Sequence, residues 1–155
     1  MPLLRAALSW NFVLATAICA SLLAQLIKVL LNLFIFHRFI AERMWGAGGM
    51  PSSHSATVCA MVVATGRYCG VNSPLFAIAA VLSIIVMYDA MGVRYETGEQ
   101  AKVLNRMFTE WMDQGFELFQ LPHGKKLKEM VGHTPIEVVT GAALGIVLGF
   151  AMPMV

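Results

Sequence analysis

Charged residues are scarce in this 155-residue chain, where Asp, Glu, Lys and Arg make up only 13%, against roughly a quarter in soluble domains. That scarcity excludes an ordinary water-facing surface. Hydrophobic residues fill 58% of the sequence and the mean hydropathy is +0.70, so the solvent for most of the chain is lipid. The length, residues 1–155, allows a single membrane domain of four spans of roughly 20 residues with one long loop.

Cysteine is also sparse. Cys19, Cys59 and Cys69 are odd in number, and they show neither a Cys-x-x-Cys pair nor a Cys/His ligand spacing. A disulfide framework and a zinc site are both excluded on that count, and the three read as small buried hydrophobes. No basic run exceeds Lys125-Lys126 and the net charge is only +2, which excludes a nucleic-acid partner and leaves anionic lipid headgroups as the natural attraction. There is no repeat of roughly 20 to 50 residues and no low-complexity segment. The N-terminal apolar run continues to Phe36, too long for a cleaved signal core of roughly 7 to 15 residues. It is expected to stay as a span.

What is present is a series of apolar segments. Spans are expected over residues 11–36, 53–65, 75–88 and 135–153, the second and third short for a hydrocarbon core of about 30 Å. Between the third and fourth, Leu104, Met107, Phe108, Trp111, Leu118 and Phe119 recur near helical spacing, with Glu99, Lys102, Arg106, Glu110, Asp113 and Glu117 between them. This predicts an amphipathic helix over about 99–120, lying in the interface or against the other helices. The fold class is therefore all-α: an integral membrane protein of four transmembrane helices plus one interfacial helix.

Four spans put Arg5 and Arg67 on one side and Arg38, Arg43, Arg94, Lys102, Arg106, Lys125, Lys126 and Lys128 on the other. Under the positive-inside rule that second side is cytoplasmic. The absence of an evident transit peptide points to a bacterial plasma membrane.

Three polar clusters fall on this cytoplasmic side. Gly48-Gly49-Met50-Pro51-Ser52-Ser53-His54 leads directly into the second span, where unpaired backbone N–H groups and the positive helix pole suit a phosphate oxyanion. His54 adds a proton donor or acceptor. An ordinary Ser N-cap, with His54 in headgroup water, reads the same residues equally well. Gly132-His133-Thr134-Pro135-Ile136-Glu137 opens the last span as a capping box with Pro at the first helical position. His133 and Glu137 are also four apart, so the carboxylate can hold one imidazole nitrogen and leave the other as a nucleophile. The two roles are expected to coexist only in part.

The third cluster closes span three: Asp89 and Arg94, followed by Glu96, Glu99 and then Asn105-Arg106. Arg94 suits bidentate phosphate binding, with Asp89 to orient it, although the two can also simply neutralise each other. In span one, Gln25, Lys28 and Asn32 share a face. Lys28 lies inside the apolar run, where an ionisable residue marks either a wet functional cavity or a side chain snorkelling to the interface.

Pro51-Ser52-Ser53-His54 resembles the Pro-Ser-Gly-His element of the type-2 phosphatidic acid phosphatase and vanadium haloperoxidase superfamily, and His133 with Glu137 resembles its His-x-x-x-Asp element. More closely, GGMPSSHSA, YDAMGVR, the later LN and GHTPIEV, in that order, are similar to the small divergent branch of that superfamily, over about Gln25 to Phe150. The resemblance implies His133 as nucleophile, Glu137 as its orienter and His54 as general acid, with Ser52, Ser53 and the span-two amides near the phosphate; Asp89 and Gly49 are expected as supporting residues. The superfamily's cation elements are not matched: seven residues after Lys28 stands Ile35, and six before His133 stands Leu127. Lys28, Arg94 and Lys128 are the substitutes.

The expected function is a membrane phosphatase acting on a lipid or isoprenoid phosphate or diphosphate through a phosphohistidine, with no cofactor and no obligatory metal. A non-catalytic protein that binds anionic lipid or assists transport is the alternative, and a metal-assisted phosphotransferase using Asp89, Glu96 and Glu99 a weaker one. Because the main superfamily uses a six-helix core, a homodimer is expected through the small-residue face of Gly141, Ala142, Ala143, Gly145 and Gly149.

Overall fold

A computed structural model describes residues 11–36, 49–113, 127–129 and 132–154. The described residues form five helices and no strand: α1 (Phe12–Phe36), α2 (Ser53–Cys69), α3 (Pro74–Met91), α4 (Val93–Asp113) and α5 (Pro135–Ala151). The chain is an all-α integral membrane protein. By length and composition α1 and the apolar part of the α3–α4 run can cross a membrane, while α5 is a shorter apolar helix. At 17 residues each, α2 and α5 are about 25 Å long, short of a full core.

The distribution of side chains is that of a bundle in lipid. Along α1, Thr16, Ala20, Ala24 and Lys28 recur every fourth residue and are buried, while Leu14, Ile18, Leu22, Leu26 and Leu30 recur at the same interval and are exposed. In α3 the buried positions are Ala79, Ser83 and Ala90, and the exposed ones include Ile78, Val81, Leu82 and Ile85. Lipid tails solvate Leu as well as another helix does, so association relies on close backbone approach, which small residues permit.

Helix α2 is the hub, packed on α1, α3 and α5. Its Ala56 and Ala60 meet Ala20 and Ala24 of α1 in one buried cluster. Against α5 the approach is closer still. A Cβ on Gly141 would overlap the Ser52 carbonyl, one on Gly145 the Ala56 carbonyl, and one on Gly149 would lie 2.7 Å from Val63 Cβ. The glycine face expected to meet a second copy is thus already occupied within the chain, and a partner would have to meet another surface, such as the exposed side carrying Ala143.

Several helix limits differ from the sequence expectation: α3 runs on to Met91 and α5 stops at Ala151, and two further differences have a local reason. α2 continues past Thr65 to Cys69 because Gly66 lets the Phe76 ring of α3 lie against it. Arg67, one residue on, donates from Nη1 to the carbonyls of Gly149, Phe150 and Met152 at 2.6, 3.1 and 2.8 Å, capping the C-terminus of α5. α4 starts at Val93 rather than near Glu99, since Gly92 alone separates it from α3. Expectations at Arg5, Arg38, Arg43, Glu117, Leu118, Phe119, Lys125 and Lys126 lie outside the described residues.

Candidate active site

Three helix ends converge at one end of the bundle. Ser52 N–H, just before α2, donates to the Glu137 carbonyl in the first turn of α5 at 2.9 Å, and His133 N–H, just before α5, donates to the Ala90 carbonyl in the last turn of α3 at 3.1 Å. These backbone bonds join segments far apart in sequence. They bring the Pro-Ser-Ser-His, Asp-to-Arg and Gly-His-Thr-Pro elements to a single place.

His133 is buried, 2% exposed. Its Nδ1–H donates to Glu137 Oε2 at 3.2 Å, and the same oxygen accepts the Thr134 N–H at 3.0 Å. The capping and orienting roles therefore coexist in full, because a carboxylate oxygen has two lone-pair directions. The Gly49 amide supports the same carboxylate, with Gly49 held at φ 87°, a left-handed conformation that glycine adopts without strain. With Nδ1 as the donor, the neutral imidazole keeps its lone pair on Nε2. Nε2 is buried and has no hydrogen-bond partner among the described residues.

The His54 ring stands 6.1 Å from that of His133, centroid to centroid, at an interplanar angle of 64°. His54 is exposed where His133 is buried, so the pair joins the exposed and the buried parts of the site. Lys28, Arg94 and Asp89 are all within electrostatic reach of His54, and Lys28 of Glu137. Lys28 is 5% exposed, and its stem packs on Gly49, where an added Cβ would lie 3.4 Å from Lys28 Cδ. Lys28 is thus drawn into the bundle rather than snorkelling, and its ammonium has no ion pair or hydrogen bond among the described residues.

The remaining expected residues divide. Ser52 is fully buried and caps α2, its Oγ accepting from Ser55 N at 3.4 Å and from Ser55 Oγ at 3.1 Å. Ser53 is buried in the first turn of α2. Arg94 Nε donates to Asp89 Oδ2 at 2.6 Å, with both side chains well exposed. Lys128 is exposed on the 127–129 segment and makes no bond to a site residue among those described. The three acids of the metal reading are not gathered: Asp89 is paired with Arg94 and Glu99 with Lys102 at 2.6 Å, and the described residues hold no group of three His, Cys, Asp or Glu able to hold a metal ion.

A sequence profile described as the Divergent PAP2 family matches residues 9–148. The chain belongs to the Divergent PAP2 family. It is also similar to the uncharacterized membrane protein YuiD of Bacillus subtilis (strain 168), with 39% identity over 144 residues that cover 89% of this chain and 91% of that protein. No solved structure matches. The profile takes in all four elements that meet at this Divergent PAP2 site, from Lys28 through His54 and Arg94 to Glu137.

Proposed function

We propose that this Divergent PAP2 protein is a phosphatase for a lipid or isoprenoid phosphate or diphosphate, working at the cytoplasmic face of a bacterial plasma membrane through a phosphohistidine at His133. One observation carries the reading: a buried imidazole whose Nδ1 is held by a carboxylate and whose Nε2 has no partner among the described residues. An unsatisfied buried ring nitrogen is unfavourable unless a ligand completes it. Here the ligand is a phosphoryl group.

In the reaction His133 Nε2 attacks the terminal phosphorus, its bond to the leaving oxygen breaks (the lipid oxygen of a monophosphate, the bridging oxygen of a diphosphate), and His54 gives its proton to that oxygen. Water then attacks the N–P bond's phosphorus, His54 takes the water proton, and inorganic phosphate leaves with His133 restored. The Glu137 carboxylate stabilises the positive ring. Lys28 and the N-terminal amides of α2 hold the equatorial oxygens, the dominant requirement of phosphoryl transfer. The ordinary membrane environment supplies the substrate, and the count of basic residues supports a cytoplasmic orientation of the site.

The Asp89–Arg94 pair favours a second reading. An arginine already bound to a carboxylate is a weaker phosphate clamp, and a site held by Lys28 alone can bind an anionic lipid without turning it over. Purified protein offered phosphatidic acid, polyprenyl phosphate and polyprenyl diphosphate in mixed micelles, with and without chelator, separates the two. Phosphate release that vanishes in His133→Ala and falls in His54→Ala supports the enzyme. Binding without release supports the second reading, and release unchanged in His133→Ala sinks the phosphohistidine.

A further inference from the structure

Asn105 stands apart from the histidines and cations, yet it is 5% exposed on a helix whose neighbouring polar side chains face outward. Its carboxamide brackets a single residue of the segment leading to His133. Leu127 N–H donates to Asn105 Oδ1 at 2.8 Å, and Asn105 Nδ2 donates to the Leu127 carbonyl at 2.9 Å. Both halves of one peptide residue are thereby satisfied, as a neighbouring strand would satisfy them. The remaining hydrogen of Nδ2 goes to Glu129 Oε1 at 2.8 Å. A flipped amide would set donor against donor at Leu127 N, so the network fixes the orientation of the group.

Downstream of this bracket the same segment is held twice more by the α3–α4 run. Gly132 lies against the backbone of Arg94 and Tyr95 with no room for a Cβ, and His133 N–H bonds to the Ala90 carbonyl. Of these three attachments among the described residues, the bracket is made by a side chain. Without it the segment could slide along α4, and the imidazole would lose its register against Glu137 and His54.

We infer that Asn105 is a positioning residue for His133, fixing through Leu127 and Glu129 the segment that presents the imidazole to its phosphoryl substrate. As far as turnover is concerned the inference rests on the phosphohistidine reading above. Asn105→Asp keeps the acceptor for Leu127 N–H, removes the donor to the Leu127 carbonyl, and sets a second carboxylate beside Glu129. Adding Glu129→Gln to it removes that repulsion and returns a donor between the two positions.

The test uses the full chain in mixed micelles. Amide hydrogen exchange is read at Leu127 and His133, and kcat and KM are measured on phosphatidic acid and polyprenyl diphosphate for the wild type, Asn105→Asp and Asn105→Asp with Glu129→Gln. Expected are exchange at His133 faster by roughly tenfold in the single variant, a fall in kcat of roughly 10- to 100-fold with KM little changed, and partial recovery of both in the double variant. Helix content by circular dichroism stays level. Unchanged exchange at His133 overturns the inference, and so does faster exchange with unchanged kcat. If the wild type releases no phosphate while exchange at His133 still rises, the phosphatase reading fails and the bracket on the His133 segment stands.

Discussion

Glu137 holds the imidazole of His133 and the start of α5 with a single carboxylate oxygen, at 3.2 Å from Nδ1 and 3.0 Å from Thr134 N. Gln caps the third helical position about as well as Glu, so Glu137→Gln separates the two roles. The substitution keeps an acceptor for the Thr134 amide and removes the negative charge facing the ring. Thermal stability in detergent should stay within about 1 kcal/mol of wild type, while kcat falls by roughly 10²- to 10⁴-fold. A parallel loss of both quantities would show that the cap, not the charge, is what Glu137 supplies.

The close contact of α2 and α5 predicts an asymmetry around α5. Gly145→Ala drives a methyl into the Ala56 carbonyl, and overpacking of this kind destabilises by about 1 to 3 kcal/mol. Gly141→Ala acts on the Ser52 backbone and therefore moves the anion-facing end of α2 as well, lowering activity beyond its effect on stability. Ala143→Leu, on the exposed side, should do neither. Unfolding midpoints and turnover of the three variants, measured side by side, check the pattern.

Much of this architecture was legible in the sequence where the information is local. Apolar runs located α1, α3 and α5 as apolar helices, because a lipid solvent leaves little else to decide them. The His133–Glu137 and Asp89–Arg94 contacts were readable from spacings of four and five along the chain. Arg67 was legible only as a charge, since its partners lie more than 80 residues away and carbonyls leave no mark in a sequence. Asn105 likewise bonds 22 residues ahead. The small-residue pattern of α5 announced a close contact correctly but was silent on the partner, because any small-faced helix, of this chain or a second one, satisfies it.

Arg67 is predicted to support stability without touching the chemistry. Its three carbonyl contacts lie at the end of α2 opposite the site, and Arg67→Ala leaves the last carbonyls of α5 without their donor. Charge-assisted bonds of this kind contribute roughly 2 kcal/mol. Arg67→Lys should recover only part, since one ammonium cannot repeat the planar reach of a guanidinium. KM and kcat at a temperature where all variants are folded should match the wild type, and a change in kcat there would place Arg67 in communication with the site.

Cys69 provides a topology test without an engineered residue. It is exposed at the last position of α2, about 25 Å along the helix from Ser53. With the site cytoplasmic, Cys69 faces the outside and an impermeant maleimide should label it in intact cells. Cys69→Ser should abolish the label, because Cys59 is buried and Cys19 partly so. Labelling only after lysis would reverse the orientation.

Lys28 yields the most discriminating prediction, because stability and activity should move in opposite directions. Lys28 is 5% exposed, with Glu137 as an opposing charge within its electrostatic reach among the described residues, and burying an incompletely compensated charge is unfavourable by several kcal/mol even after relaxation. Met matches the stem in length and has no charge, so Lys28→Met should leave thermal stability equal or higher. If Lys28 holds the phosphoryl oxygens, the same variant loses stabilisation of the transition state and kcat/KM falls by roughly 100-fold or more. A residue retained only for packing would give the first result without the second. A residue retained for a hidden structural ion pair would give the reverse, a clear loss of stability on substitution, because its former partner would then be left uncompensated.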